Sequence, residues 1–120
     1  MATVYEKSME FAVRIVKLYK YLTEQKKEYV MSKQILRSGT SIGANAAEAK
    51  QAKSKRDFVS KMSISLSEAS ESDFWLELLY RTEYLSTEEY ESISSDCKEL
   101  EKILTAIVKT TRQNIEEVDG

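Results

Sequence analysis

The stretch from Ser86 to Ile107, STEEYESISSDCKELEKILTAI, places Tyr90, Ile93, Cys97, Leu100, Leu104 and Ile107 at successive spacings of 3, 4, 3, 4 and 3. That alternation follows the α-helical period and gathers the apolar residues on one face. Ser86 and Glu89 form a capping box, in which each side chain takes a backbone N–H that the first turn leaves free. The segment therefore reads as an amphipathic helix over about 87–113, whose stripe must be buried against other helices.

The same period runs upstream. Phe58, Met62, Ser65, Ala69, Ser72, Leu76 and Leu79 keep heptad-like spacing, with Ser54 and Asp57 placed to cap, which predicts a helix over about 55–84. Ile35, Gly39, Ile42, Ala46 and Ala49 continue a 4, 3, 4, 3 pattern through two glycines and predict a helix over about 29–53 with a small-residue face. Val4, Phe11, Ile15, Leu18 and Leu22 share one face of a helix over about 4–25, and Thr3 with Glu6 makes another capping box. Four helices of similar length with brief connections favour antiparallel neighbours, because a short loop cannot carry the chain to the far end. The expected architecture is all-α, an up-down-up-down antiparallel four-helix bundle forming a single domain over 1–120.

Bulk properties agree. The 120 residues contain no proline and three glycines, so hairpin punctuation is missing. Hydrophobic residues at 42% exceed what a disordered chain carries. No apolar run approaches the roughly 20 residues that span a bilayer, and the first residues lack the apolar core of a signal peptide, so a soluble cytoplasmic protein without membrane contact is expected. Cys97 is the one cysteine and histidine is absent, which removes an internal disulfide, the commonest metal ligand and the commonest general base.

The segment Leu36 to Ala49, LRSGTSIGANAAEA, followed by Asp57 and Phe58 and then by Glu68 to Leu79, EASESDFWLELL, closely resembles the bacterial four-helix bundle proteins, also called 23S rRNA intervening-sequence proteins. The resemblance covers nearly the whole chain. It implies an up-down bundle that assembles into a ring-like homopentamer, encoded in some bacteria within inserts in the large ribosomal RNA gene. The family is similar in turn to the accessory variability protein of diversity-generating retroelements, a pentamer that binds reverse transcriptase and nucleic acid. The resemblance supplies no catalytic residues.

Charge divides the chain. Residues 1–62 carry a net of +7 and residues 63–120 a net of -9. Lys7, Arg14, Lys17 and Lys20 lie together beside the apolar stripe of the first helix, and Arg37 with Lys33 falls on the outer side of the second. Lys50, Lys53, Lys55 and Arg56 group at the link to the third. Such cations can hold nucleic-acid phosphates without reading sequence, so RNA, DNA or a nucleic-acid-processing protein is an expected partner. The other reading is that a positive helix pair complements a negative pair through solvated ion pairs.

Gly39 and Gly43, with Ala46, make a small face that should serve close packing within the bundle or between copies, since mid-helix glycine costs about 0.5 to 1 kcal/mol relative to alanine. Trp75 sits at the edge of the third helix's stripe, where it can serve either an interface or a broad core. Asn45, Glu48, Glu68 and Glu71 are expected to hold hydrogen bonds or ion pairs at helix junctions. A di-metal carboxylate site from Glu48, Glu68, Glu71, Asp73 and Glu77 would need Glu-x-x-His pairs, so no metal or cofactor is expected. Cys97 continues a buried stripe with no histidine to activate it. No catalytic residue is assigned, and the expected function is that of a non-enzymatic homo-oligomeric scaffold.

Overall fold

The computed structural model describes residues 3–119, so residues 1, 2 and 120 of the expected domain lie outside the described residues. It has four helices, α1 (Val4–Glu24), α2 (Met31–Ala49), α3 (Lys55–Arg81) and α4 (Thr87–Asp119), and no strand among the described residues. Helix α1 lies beside α2 and α4, α3 lies beside α2 and α4, and among the described residues the diagonal pairs meet only through core side chains. Side-chain partners show that neighbours run antiparallel. Along α1 and α4, Lys7 meets Glu99 while Arg14 meets Ser92. Along α2 and α3, Ser38 meets Ser72 while the Ile42 carbonyl accepts from Ser65. Along α3 and α4, Asp73 meets Lys98 while Ser63 meets Arg112. The result is an up-down-up-down bundle, 53 Å long and 27 by 22 Å across.

The predicted stripes form the core. Phe11, Ile15 and Leu22 of α1 pack with Ile35 and Ile42 of α2, Leu76 and Leu79 of α3, and Cys97, Leu100 and Leu104 of α4. Serines take part where helices come close. Ser65 donates to the Ile42 carbonyl at 2.8 Å, and Ser72 bridges the Glu68 carbonyl and the Ser38 hydroxyl at 2.8 and 3.0 Å. Among the described residues no buried side-chain nitrogen or oxygen lacks a partner, which removes the penalty that burying hydroxyls would otherwise carry.

Helix ends depart from the sequence-based expectation for identifiable reasons. Helix α1 closes with Lys27 in the left-handed region at φ 56°, and α3 closes with Glu83 at φ 70°. In each case the next N–H reaches back, from Glu28 to the Leu22 carbonyl and from Tyr84 to the Leu79 carbonyl, both at 2.9 Å. These closures normally fall on glycine, so a chain with none there hides them. Helix α2 begins at Met31, not near 29, because the buried Glu28 carboxylate accepts from the backbone N–H groups of Val30, Met31 and Ser32 at 3.1, 3.1 and 2.7 Å. It ends at Ala49, where Lys50 and Gln51 turn the chain, and α4 continues to Asp119, six residues past the expected end. Both sequence-read boxes at the starts of α1 and α4 are present as reciprocal bonds, Thr3 with Glu6 and Ser86 with Glu89.

Candidate nucleic-acid interface

The basic residues of the N-terminal half divide into those already matched and those left open. On the α1–α4 seam, Lys7 is ion-paired to Glu99, and this bond, with the Glu99 charge, holds the ammonium above its ordinary range. Two turns further along α1, Arg14 donates to Asp96 at 2.6 Å and to the Ser92 hydroxyl at 2.9 Å. Lys17 and Lys20 are exposed and stand in no ion pair among the described residues.

On the α2–α3 seam Arg37 spans two carboxylates, donating to Glu68 at 2.8 Å and Glu71 at 2.5 Å, and the Trp75 indole N–H donates to the same Glu71 oxygen at 3.1 Å. Burial opposes ionisation of Glu71, but the bonds from Arg37 and Trp75 outweigh it and hold its carboxyl below the usual carboxylate range. The guanidinium is correspondingly held above its ordinary value, first by the bond to Glu71. Arg37 is thus engaged by carboxylates of its own chain, with about half of its side chain exposed. The same seam pairs Lys61 with Glu48 at 3.6 Å, and Asn45 donates to the Ser41 carbonyl at 2.9 Å, one turn back on its own helix.

The glycines belong to the contact between α1 and α2. A Cβ on Gly39 would meet Ile15, and one on Gly43 would meet Ser8. Ala46 is buried on the same helix. Trp75 is half-buried against the core, with the exposed Phe74 ring set edge-to-face 5.1 Å away.

The link between α2 and α3 gathers Lys50, Lys53, Lys55 and Arg56 at one end of the bundle. Lys50 lies over the Tyr5 ring, 4.2 Å from its centroid. Lys53, Lys55 and Arg56 are exposed, and Lys53 and Lys55 stand in no ion pair among the described residues. Ser54 caps α3 by accepting from the Asp57 N–H at 3.0 Å. Lys55 and Arg56 in the first turn of α3 oppose the positive end of its dipole, while the Asp57 carboxylate in the same turn complements it.

Sequence reasoning did not single out three further features. Asp73, Cys97 and Glu101 bring three ligand-type atoms within 4.8 Å of one another. Their chemistry does not favour a cation. Burial, then the charges of Glu101 and Asp73, push the Cys97 thiol far up, and its hydrogen points to the Ala69 carbonyl at 3.3 Å. Burial and the Asp73 charge likewise raise the Glu101 carboxyl, while Lys98 sits on Asp73 at 3.0 Å. The second feature is an apolar stripe on the outer side of α1, Met9, Val13 and Val16, spaced 4 and 3 apart and opposite the core residues. A recess of about 780 Å³ between the α1 and α3 ends is lined by Tyr21, Lys26, Tyr80 and Tyr84 among others, with the Tyr80 ring stacked on Tyr90 at 4.5 Å.

Residues 2–106 match the family described as 23S rRNA-intervening sequence protein. Among solved structures, a protein of unknown function from the S23 ribosomal protein family of Bacteroides thetaiotaomicron is 61% identical, with a TM-score of 0.88. That alignment covers 89% of this chain and 99% of the other. None of the curated proteins matches the sequence. No helix is long and apolar enough to cross a membrane among the described residues.

Proposed function

Because the chain belongs to the 23S rRNA-intervening sequence protein family, we propose that it works as a non-enzymatic cytoplasmic scaffold, assembled from copies of itself, that meets nucleic-acid phosphates through its α2–α3 link. The observation that carries the nucleic-acid part is the grouping of exposed Lys53, Lys55 and Arg56 around the first turn of α3. A phosphate beside Lys53 and Lys55 would add a favourable negative charge at that helix end, alongside Asp57. The contact would be sequence-independent, since lysine acts as a point charge toward phosphate oxygen. A ring, which the family resemblance makes a homopentamer, would present one copy of the link per subunit, so weak contacts would add through multivalency. Lys17 and Lys20 lie 12 and 15 residues beyond Tyr5, which sits beside the link, about 18 and 22 Å along α1, and stand apart from it.

A second reading has its own support. Lys7, Arg14 and Arg37, three of the cations expected to face nucleic acid, are matched by Glu99, Asp96, Glu68 and Glu71 of the acidic half. That favours a bundle whose charge asymmetry serves its own packing, and whose partners are proteins. Fluorescence anisotropy with a structured RNA and a single-stranded DNA at two salt concentrations separates the readings. Under the first, both bind at low salt, with log-log salt slopes of about -0.7 to -0.9 per phosphate contact. The double variant Lys53→Glu with Lys55→Glu then binds more weakly with a flatter slope. If the parent binds neither, or the variant binds as well as the parent, the protein-interaction reading replaces it.

A further inference from the structure

Six of the seven tyrosines, Tyr19, Tyr21, Tyr29, Tyr80, Tyr84 and Tyr90, fall in residues 19–29 and 80–90, which the up-down topology brings to one end of the bundle. Lys53 and Lys55 stand at the other end. Tyr21, Tyr80 and Tyr84 line the recess of about 780 Å³ beside the α3–α4 link. Tyr21 also lines, with Leu85 and Glu89, an adjoining recess of about 330 Å³ that follows the α1–α4 seam past Leu18 to Lys17. The three tyrosines pack against the core. Tyr80 is committed, its ring stacked on Tyr90 and its hydroxyl 3.1 Å from that of Thr87. Tyr84 is not. Among the described residues its ring stacks on no other, and its hydroxyl, like that of Tyr21, makes no hydrogen bond.

Most charges that line the two recesses are matched. Arg14 pairs with Asp96, Arg81 with Glu77 at 3.0 Å, and Glu89 accepts from the Ser86 N–H at 2.8 Å. Lys17, Lys26 and Glu83 stand in no ion pair among the described residues. The Lys26 ammonium lies over the Tyr21 ring, 5.7 Å from its centroid. The concavity therefore offers an uncommitted aromatic ring, a cation beside it and one carboxylate acceptor. An aliphatic anion would use the lysines and leave the ring and Glu83 without a role. A planar group that carries both an amino donor and an anion uses all three.

We infer that this recess binds a nucleotide whose base carries an exocyclic amino group. The base lies against Tyr84, its amino group donates to Glu83, and its phosphate meets Lys26. Unpaired bases are commonly held in this way, by stacking on an aromatic side chain and by hydrogen bonds to their edges, and a carboxylate selects an amino group over a carbonyl. The nucleotide is either free or part of a single strand, whose next phosphate reaches Lys17 along the adjoining recess. The site is separate from the α2–α3 link and stands whether or not Lys53 and Lys55 hold phosphate.

Calorimetric titration of the full chain with cytidine monophosphate, uridine monophosphate and a short single-stranded oligocytidine tests the site, with circular dichroism to check that variants stay helical. Cytidine monophosphate should bind. Uridine monophosphate, with a carbonyl in place of the amino group, should bind at least about fivefold more weakly. Tyr84→Leu, which keeps an apolar body over the core, and the exposed Lys26→Glu should each weaken cytidine monophosphate about tenfold. Tyr84→Phe, which keeps the ring, and the double variant Lys53→Glu with Lys55→Glu should bind it as the parent does. A strand that binds more tightly than the mononucleotide, and loses that advantage in Lys17→Glu, identifies a single strand as the source; otherwise the source is the free nucleotide. The inference is overturned if neither mononucleotide nor strand binds, or if cytidine and uridine monophosphates bind alike. It is also overturned if Tyr84→Leu and Lys26→Glu bind as the parent does, or if the Lys53 and Lys55 variant loses the mononucleotide.

Discussion

The backbone of Gly39 lies directly against Ile15, so that a Cβ added there would come within 2.7 Å of Ile15 Cγ1 and 2.9 Å of Cγ2. Both atoms branch from the Cβ of a fully buried side chain, which has little freedom to turn aside. Gly39 therefore sets how close α1 and α2 can come.

Gly39→Ala should destabilise the protein by about 1 to 3 kcal/mol despite the better helix propensity of alanine, because overpacking outweighs a gain of at most about 1 kcal/mol. At Gly43 the nearest atom is the Ser8 hydroxyl at 3.2 Å, so Gly43→Ala should stay within about 0.5 kcal/mol of the parent. Urea unfolding of both variants measures the difference. Equal stabilities would show that the close approach at Ile15 is not what the glycine permits.

Arg37→Gln should cost stability and leave nucleic-acid binding alone, since its guanidinium already serves Glu68, Glu71 and, through Glu71, Trp75. About half of the arginine side chain is exposed, which limits the cost to about 0.5 to 1.5 kcal/mol. The Glu71 carboxyl titrates below its unfolded value, so its share of stability is present above the ordinary carboxylate range and is lost as pH falls through the depressed value. The variant and parent should therefore converge in thermal melts as pH drops below about 4.

Glu101 has the opposite sign. Burial and the Asp73 charge raise its carboxyl, so ionising it costs more in the folded chain than in the unfolded one. Glu101→Gln should stabilise the protein by about 0.5 kcal/mol at pH 7, after allowance for solvent screening. The gain should vanish below about pH 4, where both states carry the proton. A destabilised variant at pH 7 would mean that the carboxylate holds a bond worth more than its repulsion.

Cys97 should resist alkylation in the native state. Its thiol is buried, donates to the Ala69 carbonyl, and is kept protonated by burial and the carboxylates beside it. Iodoacetamide at pH 8 should modify it at least about tenfold more slowly than in denaturant, at a rate set by local opening. Equal rates would contradict its place in the core.

The core was legible because Phe11, Ile15, Ile35, Ile42, Leu76 and Leu104 repeat at helical spacing, and that spacing survives folding as the buried stripe. Helix ends at Lys27 and Glu83 were not, because a left-handed lysine or glutamate carries no local mark. The start of α2 at Met31 was hidden for a related reason, since Glu28 caps through a carboxylate that reads in sequence as one more surface charge. The basic strip on α1 was visible as Lys7, Arg14, Lys17 and Lys20, but which of them are engaged depends on Glu99 and Asp96, more than 80 residues away in sequence. Pairing across a bundle has no local signature, and so the sequence grouped Lys53 and Lys55 with cations that the fold engages, Lys7, Arg14 and Arg37.

Self-assembly is the claim on which the scaffold and the multivalent link both depend. Size-exclusion chromatography with multi-angle light scattering at micromolar concentration measures it directly. The account predicts a single closed species at five times the 13.8 kDa chain mass, unchanged on moderate dilution. A peak at 13.8 kDa would contradict it.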